Sequence, residues 1–190
     1  KKIKNLILIS GSNSNYSYVQ NKLFKIIKKK AKHIILKENR HDLNYLEKIY
    51  SINLNKTNTI IALGGGSIID FSKRLVLRLR SRKKINFYVI PSILGSGAES
   101  SISSIINTPL GKSFIVSEEF LPDGIIYDEY LFKSLNKTRI LMGILDAFCH
   151  CLESLTSINK NKYLDFLSVQ TLNTFIKNNL INNLLNKNQF

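Results

Sequence analysis

An apolar run, Thr57–Leu63, enters Gly64-Gly65-Gly66-Ser67 directly, and helical spacing of apolar residues begins at once over Ile68–Arg80. This strand–glycine–helix junction constrains the chain more than any other feature. Glycines let a backbone come close to an anion, and the first turn of the following helix offers unpaired N–H groups at the positive end of its dipole. A pyrophosphate fits such a turn. The pattern is not G-x-G-x-x-G, and it lacks the lysine of a P-loop. A glycine triplet alone marks only a turn; its position between a strand and a helix is what points to phosphate.

The flanking sequence repeats the alternation. Asn5–Ser10 is a short apolar run ending at Gly11 and reads as a buried strand. Tyr18–Lys30 carries Val19, Leu23, Ile26 and Ile27 on one helical face. His33–Leu36 reads as a strand, His41–Tyr50 as a helix through Leu43, Leu46 and Ile49, and Asn86–Ile90 as a strand stopped by Pro91. Strands apolar on both faces, alternating with helices, predict an α/β fold with a Rossmann-like parallel sheet. After Pro91 the texture changes. Ser92–Asn107 is rich in Ser and Gly, Ser113–Val116 and Gly124–Tyr127 read as short strands, and from Thr138 the pattern is helical through Ile140–Ser154 and Tyr163–Leu185. The expected division is an α/β domain over 1–138 and the first helices of an all-α domain over 139–190, the latter small for an independent core.

Of 190 residues, 28 are Lys or Arg and 13 are Asp or Glu, so the net charge is 28 − 13 = +15. Such an excess suits nucleic acid, a membrane surface or a phosphorylated ligand. Much of it follows a drift toward Lys, Asn and Ile, as in Lys25–Lys32 and Ile176–Lys187. The dense run Arg74, Arg78, Arg80, Arg82, Lys83, Lys84 has no interleaved aromatic residues, so it reads as a solvated face and does not call for nucleic acid. A hydrophobic content of 44% excludes a disordered chain. Cys149 and Cys151, the only cysteines, make neither a disulfide framework nor a zinc cage. Free thiols, no apolar run of membrane-spanning length and no signal-peptide core at Lys1-Lys2-Ile3-Lys4 predict a cytoplasmic protein with no membrane partner.

Two further stretches carry chemistry. Pro91-Ser92-Ile93-Leu94-Gly95-Ser96-Gly97-Ala98-Glu99 follows a strand end, on the rim where open α/β sheets bind ligands. By itself it reads equally as a flexible Ser/Gly loop. Asp146 and His150 stand at i and i+4, one helical face. Carboxylate plus imidazole suits iron or zinc, although such a pair alone is more often a surface hydrogen bond.

Together these stretches resemble the iron-containing alcohol dehydrogenases, in the superfamily that includes dehydroquinate synthase. Gly64–Lys73 is similar to G-G-G-S-x-x-D-x-A-K, with Asp70 and Lys73 in place and Ser72 for Ala. Pro91–Glu99 is similar to P-T-T-x-G-T-G-S-E, with Ser92 and Ser96 for Thr and Ala98 for Ser. Leu121–Asp128 is similar to L-P-D-x-x-I-x-D, and the run Gly143–Ser157 contains D-A-x-x-H-x-x-E-x-x-x-S.

The resemblance implies NAD or NADP bound by Gly64, Gly65, Gly66, Ser67 and Asp70 with Ser92, Ser96 and Lys112. It implies a divalent metal, iron or zinc, on Asp146 and His150, and reversible oxidation of a small alcohol to an aldehyde or ketone. It assigns no further catalytic side chain and leaves room for a homo-oligomer. The family takes two more metal-binding histidines from later in its helical domain, whereas His33 and His41, the other histidines here, lie in the α/β half. The chain by itself is therefore expected to be inactive. The family often places an Asp after the first strand to hold the ribose hydroxyls. Here the strand ends Ile9-Ser10-Gly11-Ser12, which favours NADP. The alternative function is a dehydroquinate synthase-like sugar-phosphate cyclase, a reading opposed by Asp146-Ala147 and His150, where cyclases carry Glu and Lys.

Overall fold

The computed structural model describes residues 5–12, 25, 31–36, 42–51, 54, 56–159 and 161–179. These form two compact units, Lys1–Ser92 with Gly97–Ser134, and Ile93–Ser96 with Leu135–Phe190.

The first unit is built on a five-stranded sheet. Strands β1 (Leu6–Gly11), β2 (Ala31–Leu36), β3 (Thr59–Gly64), β4 (Asn86–Pro91) and β7 (Gly124–Ile125) lie in the order β2-β1-β3-β4-β7. All neighbours are parallel, as an α/β fold requires. Successive side chains alternate between the faces. On one face Ile9, Ile34, Ala62 and Val89 lie in register across four strands. They join Ile7, Leu36, Ile60 and Phe87 in the main core. Helices α1 (Leu43–Ser51) and α2 (Gly66–Arg80) cover that face, contributing Leu46 and Ile49, and Ile69, Phe71, Leu75 and Val76. On the other face Leu6, Leu8, Ile61, Leu63 and Ile90 form a second cluster with Leu131 of the short helix α3 (Glu129–Lys133). Burial of both faces explains why the strands read as unbroken apolar runs. The helix expected over Tyr18–Lys30, Lys25 excepted, and the end of the helix expected to Leu185 lie outside the described residues.

The Ser-rich stretch holds more structure than its composition suggests. Strands β5 (Ser103–Thr108) and β6 (Gly111–Val116) form an antiparallel hairpin. It packs on α2 through polar side chains. Arg74, 6% exposed, donates from Nε to Ser104 Oγ at 2.9 Å and from Nη2 to the carbonyls of Ser104 at 2.9 Å and Ser113 at 2.8 Å. Lys73, 0% exposed, donates from Nζ to the carbonyls of Ser101 at 2.8 Å and Ser103 at 2.7 Å. The expectation that the basic run is a solvated face is thus corrected in part. Arg80 pairs with Asp123 at 2.9 Å and donates to the Glu119 carbonyl at 2.7 Å, Lys83 donates to the Leu54 carbonyl at 2.6 Å, and Arg78 pairs with Glu47 while lying 3.8 Å over the Tyr50 ring. Arg74, Arg78, Arg80 and Lys83 have local acceptors that the charge pattern alone does not reveal, whereas Arg82 and Lys84 are exposed as expected.

The second unit contains α4 (Lys137–Thr156) and α5 (Lys162–Lys177). Asn136 caps α4, its Oδ1 accepting from Arg139 N at 2.9 Å, and Asn161 caps α5 by accepting from Tyr163 N and Leu164 N. The helices meet through Phe148 and Phe175, whose rings stand edge to face at 6.2 Å. Gly143 is buried on α4 because residues 93–96 run against it; a Cβ there would lie 2.7 Å from Leu94 Cβ and 2.8 Å from its carbonyl oxygen.

Candidate functional site

In the first unit the strand order turns at β1 and β3: β2 lies to one side, and β4 and β7 to the other. Open α/β sheets bind ligands beyond the carboxyl ends of the strands at such a switch point. Gly64 ends β3 there. A Cβ at Gly64 would meet Ile68 Cγ1 at 2.6 Å and Cβ at 2.7 Å, so only glycine lets α2 begin this close to the strand. Gly65 is the N-cap in extended conformation and offers no side-chain cap. Ile68 N and Ile69 N donate to its carbonyl at 3.0 and 3.1 Å. The two preceding N–H groups, of Gly66 and Ser67, open the helix with no capping oxygen over them among the described residues, which leaves a cradle for an anion. Ser67 is exposed beside it. Ser92, buried at the end of the next strand, donates its N–H to the Gly64 carbonyl at 3.0 Å, which ties the two strand ends together.

Other candidates stand elsewhere. The carboxylate of Asp70 accepts from Ile105 N at 3.2 Å and lies 3.7 Å from Lys73 Nζ, so it faces the hairpin. Burial pushes its carboxyl above the ordinary value, partly offset by the Ile105 N–H and by Lys73 and Arg74. Burial pulls the Lys73 ammonium below its ordinary value. Lys112 is exposed near the hairpin tip, opposite Asn107 in register. Glu99, closing the hydroxyl-rich stretch, accepts from Tyr127 Oη at 3.3 Å; burial and the Glu99 charge push that phenol up.

Ser96 belongs to the second unit, with Asp146 and His150. One turn apart on α4, Asp146 Oδ1 and His150 Nε2 are 4.0 Å from each other. Both are about half exposed, with side-chain exposures of 50% and 52%. His150 Nδ1 is 3.1 Å from the Gly95 carbonyl oxygen. That oxygen can only accept, so Nδ1 carries a proton, and Nε2 is the ring nitrogen nearer Asp146. Metal-binding histidines are oriented in this way, the second ring N–H donating to a carbonyl. Ligand atoms of a tetrahedral metal with bonds of about 2.1 Å stand about 3.4 Å apart, so a small side-chain rotation would bring this pair to metal-binding distance. Among the described residues no three His, Cys, Asp or Glu side chains gather to hold an ion. Gly95 reaches its place by a left-handed turn, φ +93°, and a Cβ there would lie 2.3 Å from the Gly143 carbonyl oxygen and 3.0 Å from Asp146 Cβ.

Sequence reasoning did not single out this interlock of Gly95 with Gly143, nor the burial of Lys73, which it placed only by its motif match, and of Arg74, which it placed in the basic run. A glycine in each of two chemistry-bearing stretches was the available signal for the first. Nothing in the local sequence marked the second.

The profile of the iron-containing alcohol dehydrogenase family matches residues 1–129. A 4-hydroxybutyrate dehydrogenase of Clostridium kluyveri is 27% identical over 139 residues, covering 65% of this chain and 37% of the relative. A sulfoacetaldehyde reductase of Bilophila wadsworthia is 30% identical over 131 residues, covering 60% and 34%. A 3-dehydroquinate synthase of Streptococcus pneumoniae is 29% identical over 113 residues, covering 56% and 31%. The matches thus take in about a third of the length of these relatives. Among solved structures, an iron-containing alcohol dehydrogenase of Thermotoga maritima has a TM-score of 0.76 at 21% identity, over 88% of this chain and 52% of that one. A sulfoacetaldehyde reductase of Bifidobacterium kashiwanohense in complex with NAD+ has a TM-score of 0.75 at 19% identity, over 87% and 49%.

Proposed function

The chain belongs to the iron-containing alcohol dehydrogenase family, and from that premise we propose that it takes part in metal-dependent, NAD(P)-dependent interconversion of a small alcohol and its aldehyde or ketone. The observation that carries this reading is the uncapped start of α2 at Gly65–Ser67, at the switch point of the sheet. In the proposed division, residues 1–138 bind the dinucleotide and 139–190 contribute to the metal centre.

The roles follow from the geometry. The N–H groups of Gly66 and Ser67 hold the pyrophosphate, with the Ser67 hydroxyl beside them. Ser92 keeps the neighbouring strand end in place, and Ser96 and Lys112 are further candidates for the cofactor. Asp70 acts through the hairpin that its carboxylate faces. His150, oriented by the Gly95 carbonyl, holds a divalent metal with Asp146, with iron the first choice and zinc the second. When bound, the metal polarises the alcohol oxygen and the nicotinamide accepts the hydride. The reaction balances as alcohol plus NAD(P)+ giving carbonyl compound, NAD(P)H and a proton. The Asp146–His150 pair favours this reading over a sugar-phosphate cyclase, and release of phosphate from a seven-carbon sugar phosphate would reverse that preference. The exposed Cys149 and partly exposed Cys151 suit a reducing compartment, so we place the protein in the cytoplasm.

The cofactor role is tested with Ser67→Asp, read by calorimetric titration with NADH and NADPH. A carboxylate at this position suits the helix dipole and spares the fold, but it occupies the place of the phosphate. Binding to the native chain and a loss of at least about tenfold in the variant are expected, about 1.4 kcal/mol. No binding of either dinucleotide to the native chain would sink the reading.

A further inference from the structure

One cavity lies wholly within the second unit. It has a volume of about 420 Å³ and is lined by Ile93, Leu94, Arg139, Met142, Gly143 and Asp146. Three of these side chains are apolar. Asp146 brings the cavity to the candidate metal pair. The remaining one, Arg139, is an exposed cation beside these apolar side chains. Its backbone N–H is used in capping α4. Among the described residues its guanidinium has no hydrogen bond or ion pair.

This sets Arg139 apart from several other arginines of the chain, although the exposed Arg82 also has no hydrogen bond or ion pair among the described residues and lies 5.3 Å from the Tyr50 ring. Arg74, Arg78 and Arg80 each have an acceptor of their own. A guanidinium offers five N–H donors in a planar fork, which matches carboxylate, sulfonate and phosphonate oxygens. Small-molecule pockets gain their specificity from a few such polar groups set in apolar walls. Arg139 and Asp146 are seven residues apart on α4, two turns of helix. They therefore share a face, about 10.5 Å apart along the axis. A molecule joining the two has a reactive oxygen at one end, an oxyanion at the other and a few methylenes between.

We propose that this cavity is the substrate pocket and that its substrates are short-chain aldehydes and alcohols with a terminal oxyanion, held by Arg139. The inference rests on the dehydrogenase reading for the meaning of Asp146, whereas the anion preference rests on Arg139 and the cavity. The apolar walls accept the methylene chain. Arg139 fixes the charged end, which places the other end at Asp146. A neutral alcohol of the same length keeps the apolar contacts and lacks the charged ones. Discrimination between the two is therefore the signature of the pocket.

The test uses the full chain with inert probes, so that binding is read without turnover. Butyrate, propanesulfonate and neutral butanol are titrated at fixed ionic strength, with saturation-transfer NMR as the readout. Butyrate and propanesulfonate are expected to bind at least about tenfold more tightly than butanol, equivalent to about 1.4 kcal/mol. Arg139→Met should bring all three to the level of butanol, and Arg139→Lys should recover part of the difference through charge without the fork. Lys84→Met removes the same charge elsewhere in the sequence and should leave the preference intact; its loss in that variant would assign the effect to net charge and overturn the proposal. Equal binding of butanol and butyrate, no binding of butyrate, or an unchanged preference in Arg139→Met would overturn it as well. Circular dichroism confirms that each variant is folded. NADH titration of the same samples separates the two readings: cofactor binding without anion preference defeats the pocket alone, and anion preference without cofactor binding defeats the dehydrogenase reading alone.

Discussion

Gly95 shows how one residue can serve both packing and chemistry. Its positive φ places its carbonyl where His150 Nδ1 finds it at 3.1 Å, and its missing Cβ leaves room for the Gly143 carbonyl oxygen. Alanine here would suffer twice, from the left-handed backbone and from a contact of 2.3 Å with that oxygen. The backbone would have to move away, taking the acceptor of His150 with it. Gly95→Ala is expected to destabilise the chain by about 1–3 kcal/mol, read by urea denaturation. It should also weaken Zn2+ binding by about 10–100-fold, the usual cost of losing a group that orients a metal-binding histidine. NMR of the His150 ring nitrogens in the metal-free protein supplies a direct check. The native chain should show the Nδ1–H tautomer and the variant a mixture. An unchanged tautomer with unchanged Zn2+ affinity would show that the Gly95 carbonyl does not set the ring.

At the scale of elements, α2 does three jobs that the sequence shows unequally. Its start at the glycines is legible, because a strand that runs into Gly-Gly-Gly-Ser and then a helical apolar stripe has few other meanings. Its apolar face is legible by spacing, and Ile69, Phe71, Leu75 and Val76 are all in the core. Its polar face is not. Arg74 reads as solvated, and the burial of Asp70 and Lys73 goes unseen, because the elements that cover them, β5 and β6, come some thirty residues later in a Ser-rich stretch with weak strand signals. For the same reason α3 and the strand Ser103–Thr108 go unseen, while Asp146 and His150 are visible from an i, i+4 spacing that needs no tertiary information. Arg74→Met keeps most of the side-chain volume but strips the acceptors on Ser104 and Ser113 of their donor. A loss of about 2–4 kcal/mol is expected in denaturant titration. A loss under about 0.5 kcal/mol, typical of a surface site, would mean that the hairpin does not depend on Arg74. Lys73 adds a pH dependence of known sign. Its folded-state value lies below the ordinary 10.5, so between those two values the unfolded chain binds more protons and stability rises with pH. Native chain and Lys73→Met, compared in urea across that window, should diverge, the native chain gaining on the variant as pH rises. Parallel profiles would contradict the assignment.

At the scale of the molecule, the two units differ in what holds them together. Every fully buried apolar side chain among the described residues lies in the first unit, all but Phe120 in two clusters built on the faces of the sheet. The helices of the second leave Met142, Leu152, Tyr163, Phe166 and Ile176 exposed. Apolar burial is the main favourable contribution to folding, so the second unit should open at lower free energy than the first. Ligands should then act on each unit separately. A ligand that binds only the folded form stabilises by RT ln(1 + [L]/Kd), about 2.7 kcal/mol at a hundredfold excess over Kd. NADP+ is expected to slow amide exchange in β1, β3 and α2 and to leave α4 and α5 nearly unaffected, whereas Zn2+ should protect α4 around Asp146 and His150. NADP+ should protect more than NAD+ at equal concentration, because β1 ends in Ser10-Gly11 and Ser12 follows, without a carboxylate to repel a 2′-phosphate, on a chain of net charge +15. That advantage should shrink as salt rises, since it comes from one extra phosphate group and screening acts on it directly. Stronger protection by NAD+ would reverse the cofactor preference while leaving the glycine cradle in place. Protection of α4 by NADP+ and of α2 by Zn2+ to equal extents would show that the units open together, and would refute their independence in solution.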